Sequence, residues 1–380
     1  MHQRHIFLAI LLAFILWGAL SLDVALGETN TRNNNIQICS MDTYRIEETA
    51  EYIRSNYVTA KYYYSSDEIW YAGTAKQDKS WLLRTNENGD VSGQWLLDGA
   101  FLNQFISGIA RTETTLLLGL IDNVTIRGSV AIYKNETISF VDLGDAQIYN
   151  YSNTLNGGLA AQGLIFSNDG NSCAPITMII DNQGDIVFSA TGESYITATS
   201  APYLTKSMSC ASDNAIYILE VSGAEASDLS CMDVCGNELW HVKVEANISV
   251  HSMVLSDEKI YLFGYRSEYG KDYGVETHRP VKTAIIQCFS QKGEVIWERA
   301  ERQLTDFFAG DAADNICAAS GKDESGKWYT YIFSDKGLNL RAVQQSKENE
   351  YGLKPILCPD QRVTVLGTSA DFIMISRFQY

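Results

Sequence analysis

The sequence predicts an all-β chain, and three observations carry that expectation. A polar-to-glycine turn recurs along it, an aspartate turn precedes the glycine turn at a nearly constant distance, and the runs between them alternate apolar and polar residues as half-buried strands do. The 380 residues are 46% hydrophobic and 11% aromatic with five prolines, which suits a substantial core in one large domain or two modest ones and argues against disorder.

The glycine turn occurs as "NENGDVSGQW" (Gly89), "DNQGDIVF" (Gly184), "DVCGNELW" (Gly236), "SQKGEVIW" (Gly293) and "SDKGLNLR" (Gly337). "YKNETISF" at Asn135 fills the gap between the first two without a glycine. Asp, Asn or Ser at the head accepts hydrogen bonds from the turn backbone, and glycine three places on takes the positive φ of a tight reversal. The aspartate turn occurs as "SSDEIWYAG" (Asp67), "ASDNAIYIL" (Asp213), "LSDEKIYLFG" (Asp257), "AADNICAAS" (Asp314) and "CPDQRVTVLG" (Asp360). From this aspartate to the hairpin glycine of the same unit the interval is 22 residues (Asp67 to Gly89), 23 (Asp213 to Gly236), 36 (Asp257 to Gly293) and 23 (Asp314 to Gly337). Two landmarks that hold one offset define a repeat.

Each unit therefore reads strand A, aspartate turn, strand B, loop, strand C, glycine hairpin, strand D, over about 45 to 55 residues, the length of a four-stranded propeller blade. Such units bury their faces only by stacking on neighbours, which drives closure into a ring. The expected fold is a single β-propeller of four-stranded antiparallel blades over residues 34–380, with seven blades, six or eight being the margin. The unit after Asp360 supplies "RVTVLGTSA" and "DFIMISRFQY" as strands B and C and stops at Tyr380 before its hairpin. Its missing strand D is expected from "NNIQICSMD" (Asn34 to Asp42), which completes the last blade and closes the ring without an exposed edge. "RIEETAEYIRS" (Arg45 to Ser55) has helical spacing and is expected as a connecting helical turn.

These Asx-x-x-Gly-x-x-x-Trp hairpins resemble the blade motif of quinoprotein-like (PQQ-like, and more loosely WD40-like) β-propeller repeats, over nearly the whole mature chain. The resemblance implies that the tryptophan docks between adjacent blades, and it speaks to fold more than to activity. Only Trp95, Trp240 and Trp297 supply the aromatic as tryptophan, and Trp95 falls six residues after its glycine. A quinone-dependent dehydrogenase of this kind needs a calcium-binding set of acids and amides around the channel, which no spacing here identifies. A sialidase-like glycan hydrolase, faintly echoed in "FSDKGLNL" and "SNDGNS", needs an arginine cluster and an acid/base pair, equally unassigned.

The N-terminus is distinct. "MHQRH" precedes an uncharged apolar run from Ile6 to Leu22, so residues 1–27 read as a signal peptide or an uncleaved membrane anchor. Either fate exports the body of the protein. A net charge of −17 without any basic run disfavours nucleic acid, and the membrane is reached only through this segment. Cys231 and Cys288 stand five residues before their hairpin glycines, where sister units place Ile179 and Ile332, so they read as packing thiols; a Cys231–Cys235 link is the alternative. No zinc spacing occurs, and neither a metal nor another cofactor is expected. His241 and His251 sit on strand-like runs and read as packing residues.

The 36-residue interval is the strongest local anomaly, since it gives "RSEYGKDYGVETHRP" (Arg266 to Pro280) about 13 residues more than its sisters. Insertions in repeats map to loops on one face, often the binding face. In a propeller, B–C loops share a face with D–A connections, here "AQIYNYSN" (Tyr149, Tyr151), "ESYITATSAPY" (Tyr195, Tyr203) and "QLTDFFAGD" (Phe307, Phe308). Together with Tyr269, Tyr273, His278 and Arg279 these residues form the expected binding face, suited to stacking on sugars or gripping an extended peptide. The expectation is an exported, non-catalytic binding or scaffold module whose partner is a protein or carbohydrate at the cell envelope. The alternative is a propeller enzyme with acids such as Asp306 or Asp311 converging on the central channel.

Overall fold

The computed structural model describes residues 40–46 and 58–379, apart from 66, 75–78, 87, 98, 168–170, 193–194, 197–207, 213, 223–224, 246, 257, 273–274, 314, 335–338, 343–350, 359–361 and 369–372. The expected helical turn at Arg45–Ser55 falls on strand at Arg45 and Ile46 and otherwise lies outside the described residues, as do the apolar run at Ile6–Leu22 and the Gly337 hairpin.

Among the described residues the chain is almost entirely antiparallel β-sheet. The first sheet holds β2 (Val58–Ser65), β3 (Glu68–Thr74), β4 (Ser80–Thr85) and β5 (Val91–Leu97). A larger sheet follows: β6 (Gln104–Arg111), β7 (Thr115–Asp122), β8 (Arg127–Lys134), β9 (Thr137–Asn153), β10 (Leu159–Phe166), β11 (Ser172–Ile180) and β12 (Ile186–Thr191), with β13 (Tyr195–Ile196) also on β11. The next two sheets are β14 (Met208–Ala211) to β17 (Glu238–Lys243), through β15 (Ala215–Ser222) and β16 (Glu225–Asp233), and β18 (Ile248–Ser256) to β21 (Val295–Glu301), through β19 (Lys259–Asp272) and β20 (Val275–Ser290). Then come β22 (Asp306–Ala313), β23 (Ile316–Lys322), β24 (Trp328–Ser334) and β25 (Asn339–Ala342). The last sheet joins the first and last described strands: β26 (Tyr351–Cys358), β27 (Arg362–Thr368), β28 (Ile373–Gln379), then β1 (Ser40–Ile46), which pairs with β28 from Ser40↔Gln379 to Ile46↔Ile373.

The larger sheet is two four-stranded patterns sharing β9. Its first residues pair with β8 and its last with β10; the pairing with β8 is irregular between Asp142 and Gln147, where Gly144 takes a φ of 76°, and Gln147 pairs with Arg127 of β8 on one side and Leu164 of β10 on the other. The D–A connection expected around "AQIYNYSN" is therefore continuous strand. Middle strands such as β7 and β11 are buried on both faces, which explains their unbroken apolar runs "TLLLGLI" and "APITMII". Outer strands such as β12 and β17 are largely exposed.

Apolar clusters lie between successive sheets. One joins Leu219, Leu229 and Tyr217 to Ile248, Leu262 and Ile285, and another joins Phe263 and Ile286 to Phe307, Tyr329 and Phe333. The innermost strands pack in series: β2 on β6, β6 on β9, β9 on β14, β14 on β18, β18 on β22, β22 on β26, and β26 on β2. At the last of these contacts Lys61 Nζ donates to Pro355 O while Lys354 Nζ donates to Thr59 O at 2.9 Å, and Asp311 lies 3.8 Å from Lys61.

The glycine turns share one geometry. At Asp181, Asp233 and Ser290 the head residue's N–H donates across the hairpin, its carbonyl accepts from Gly184, Gly236 or Gly293, and its side-chain oxygen accepts two further backbone N–H groups. Asn86 does the same at Gly89. The glycine-free copy turns with Asn135 and Glu136 both at positive φ, 50° and 61°.

These hairpins receive the neighbouring sheet. Phe188 Cε2 lies 3.6 Å from where a Gly236 Cβ would stand, and the Trp240 ring lies at 2.8 Å from the corresponding point on Gly293, with Trp240 Nε1 donating to Gln291 O at 2.8 Å. Trp297 packs edge-on to Tyr261 and against the cluster around Phe307. Trp95 departs from this pattern: it stacks on Trp70 at 5.6 Å in its own sheet, and its ring fills the space over Gly93, the position where sister hairpins carry their aromatic.

Candidate functional site

The inserted segment is not a loop. β19 and β20 pair from Lys259↔Ser290 to Asp272↔Val275, with one irregularity near Tyr269, so residues 266–280 prolong the hairpin into a two-stranded ribbon. Tyr269 pairs with Pro280, His278 and Arg279 lie on β20, and Tyr273 lies outside the described residues. The ribbon is anchored at its base, where Arg266 Nη2 bonds Glu298 at 2.9 Å and also Glu245.

The remaining predicted residues divide. Tyr203 lies outside the described residues, and Tyr195 pairs with Cys173 in β13. Tyr149 is exposed on β9 and donates to Gln147 at 3.0 Å. Two residues are corrected. Tyr151 is only 4% exposed: its hydroxyl donates to Ser129 O and Leu120 O, and its side chain fills a niche left by Gly108, Gly119 and Gly128. Phe307 is fully buried against Tyr331 and Phe333. Both are core residues, because alternation along a strand sends one neighbour inward and the next outward. Phe308, the next residue, is 40% exposed.

Around Phe308 the structure gathers side chains that the sequence keeps far apart. Tyr265 (β19), His251 (β18), Phe308 (β22) and Trp328 (β24) form a row of rings, with successive centroids 5.8, 5.4 and 5.4 Å apart. Lys282 Nζ sits 4.1 Å over the Tyr265 ring, and Lys322 Nζ sits 4.5 Å over Trp328 and 5.7 Å from Phe308. His251 Nε2 lies 2.8 Å from Asp306 Oδ2, while the other oxygen of this buried carboxylate has no hydrogen-bond partner among the described residues. His251 thus packs on β18 between Tyr265 and Phe308, as expected of it, and also bridges two sheets through Asp306. His241 is exposed and pairs with Glu238.

Beside this row, at the foot of the ribbon, opens a groove of about 450 Å³ lined by Lys282, the 302–305 connection and the 323–325 turn. The connection is held in place by Ala284 N–H donating to Leu304 O and by Thr305 donating to Lys322 O. Asp323 is committed to its own turn. Burial acts to raise its carboxyl pKa, but hydrogen bonds from Ser325, Lys327 and Tyr329 outweigh that and hold it below the ordinary range. Lys282 and Arg302 have no carboxylate partner among the described residues.

Asp306 and Asp311 do not form an acid pair. The first is held by His251, and the second accepts from Leu357 N–H at 2.8 Å near Lys61. No hydroxyl or thiol hydrogen-bonds His251, and no metal-like group of three His, Cys, Asp or Glu side chains occurs among the described residues. The described cysteines form no disulfide; Cys231 and Cys288 are buried and Cys235 is exposed. Burial pushes the Cys231 thiol up to about 11, away from reactivity. Among the described residues no helix is long and apolar enough to cross a membrane.

No protein-family model matches the chain, and no curated protein does. Solved structures do, and they are β-propeller proteins. The chain is similar to BBS1N, crystallised in complex with ARL6DN (TM-score 0.52, 10% identity, covering 90% of this chain and 96% of that one). It is similar to an oligogalacturonate lyase from Vibrio parahaemolyticus (TM-score 0.51, 9% identity, 90% and 98% covered). An acylaminoacyl peptidase from Pyrococcus horikoshii matches over 84% of this chain but only half of its own length (TM-score 0.51, 11% identity). At such identities the likeness supports the propeller fold and carries no activity, since enzymes and a protein held in a complex share it.

Proposed function

We propose that this chain is an exported, non-catalytic β-propeller that holds a protein or carbohydrate partner at the cell envelope on the face from which the β19–β20 ribbon rises. Seven blades, with β9 shared between the second and third and β1 completing the last, form a closed ring in this reading. The serial packing of inner strands, ending with β26 on β2, supports it. The docking of Phe188 and Trp240 on the next hairpin supports kinship with quinoprotein-like repeats. Export rests on the Ile6–Leu22 segment.

The observation that carries the binding role is the groove and ring row at the ribbon's foot, assembled from strand A starts and B–C turns on one face. Replacing Tyr269–Pro280 by Asn-Gly joins Glu268 to Val281, which already pair, through a two-residue turn and keeps Lys282. The trimmed protein is expected to fold with unchanged circular dichroism and to lose retention on envelope glycans and proteins that hold the wild type. Undiminished retention contradicts the role. The His251–Asp306 pair favours one second reading, a glycan-processing enzyme, which requires turnover on a glycan panel that vanishes in His251→Ala.

A further inference from the structure

We infer that the joint between the last and first sheets binds a small oxyanion, held between Lys61 of β2 and Lys354 of β26. The site is built on other strands than the ribbon and its groove, so it stands or falls independently of the binding role proposed above.

The two lysines cross. Lys61 Nζ reaches from β2 to Pro355 O on β26, and Lys354 Nζ reaches from β26 to Thr59 O on β2 at 2.9 Å. Stems that span one contact in opposite directions bring two ammonium groups together, although like charges repel. Exposed lysines such as Lys282 and Lys292 need no counter-charge, because water solvates them. At the joint the charges are enclosed. The Lys61 side chain is 20% exposed, and burial lowers the pKa of both lysines, with the Lys61 charge a further cause at Lys354.

One positive charge is left unmatched. Asp311 lies 3.8 Å from Lys61, and its Oδ2 also accepts from Leu357 N–H at 2.8 Å. Lys354 has no carboxylate partner among the described residues, so two ammonium groups share a single acid. Donors are unspent as well. An ammonium carries three N–H groups, Lys354 spends one on Thr59 O, and the Thr59 hydroxyl is buried without a hydrogen-bond partner. An oxyanion accepts from both ammonium groups and from that hydroxyl, and one negative charge cancels the surplus. Lys61 and Asp311 keep 20% and 25% of their side-chain surfaces exposed, which gives a small ion a way in from solvent.

The other way to shed the surplus charge is for Lys354 to lose its proton, which happens at about pH 8 in the unliganded protein. Anion and proton are therefore linked, and binding tightens as the pH falls through that value.

The test is thermal melting of the full chain at pH 7 and constant ionic strength, with chloride exchanged stepwise for acetate or for phosphate, on the wild type, Lys354→Met and Lys354→Arg. The wild-type melting temperature is expected to rise and saturate, Lys354→Met to show only the gradual drift of a general salt effect, and Lys354→Arg to recover part of the saturating rise. The anion that saturates at the lower concentration distinguishes a carboxylate ligand from a phosphate. Acetate keeps its charge from pH 6.5 to 9.5, and the half-saturating concentration on the wild type is expected to be at least about tenfold higher at the alkaline end. Hydrogen exchange in acetate is expected to slow in 58–65 and 351–358. No saturation with either anion, an equal saturating rise in Lys354→Met, or an affinity indifferent to pH overturns the inference. If Lys354→Met does not fold, the wild-type pH series and the exchange pattern decide it.

Discussion

Tyr151 shows how one residue changes meaning between sequence and structure. In "AQIYNYSN" it reads as half of an aromatic loop pair, yet it is a keystone between two four-stranded patterns, with its ring in a niche of three glycines and its hydroxyl near two backbone carbonyls. The niche depends on Gly108, Gly119 and Gly128, which lie some 20 to 40 residues upstream and mark no local turn. Tyr151→Phe leaves the Ser129 and Leu120 carbonyls without this donor. Chemical denaturation is expected to show a loss of about 1–3 kcal/mol with an unchanged m-value, and no loss would mean that the hydroxyl is not engaged. The site residues were illegible for the same reason. His251, Lys282, Arg302, Asp306, Phe308, Lys322 and Trp328 span 78 positions and meet only because β18 packs on β22. Of this cluster the sequence singled out Phe308 as a binding residue on a D–A connection and Asp306 as a possible channel acid at a strand A start, and it read His251 as packing.

Elements were more legible than residues. The Asx-x-x-Gly turns carry their chemistry within five residues, so pattern and structure agree at Gly89, Gly184, Gly236 and Gly293, each at positive φ. The same turn also occurs where the repeat did not mark it, at Asp323–Lys327 between β23 and β24 and at Thr154–Gly158 before β10. The ribbon was misread because "RSEYGKDYGVETHRP" is polar and glycine-bearing like a loop, and only the register of β19 on β20 reveals it as strand. Gly293 joins local turn and neighbouring sheet. Its φ is 81° and an added Cβ would stand 2.8 Å from the Trp240 ring. Gly293→Ala is expected to cost about 1–3 kcal/mol and to shift tryptophan emission as Trp240 leaves Gln291, whereas a silent substitution would remove the wedge from the account.

At the scale of the whole molecule, the meeting of first and last sheets is the point of interest, because Lys61 and Lys354 both lie at the β2–β26 contact with Asp311 as the nearby acid. Burial, then the nearby Lys61 charge, pushes the Lys354 ammonium down from 10.5 to about 8. Between those values the unfolded chain holds a proton that the folded chain does not, so this group makes stability rise as pH climbs from about 8 towards 10.5. Lys354→Met is expected to raise or preserve the melting temperature at pH 7 and to flatten that alkaline rise. A steep loss at pH 7 would mean that the charged lysine holds the ends together on balance.

Hydrogen exchange with a retained partner tests the recognition face most directly, because antiparallel strands put B–C turns and D–A connections at one end of every sheet and glycine hairpins at the other. The account predicts protection on binding in 265–268, 281–284, 302–308 and 322–328. Protection confined to the hairpins at 181–185, 233–237 and 290–294, with none at the ribbon's foot, would contradict it.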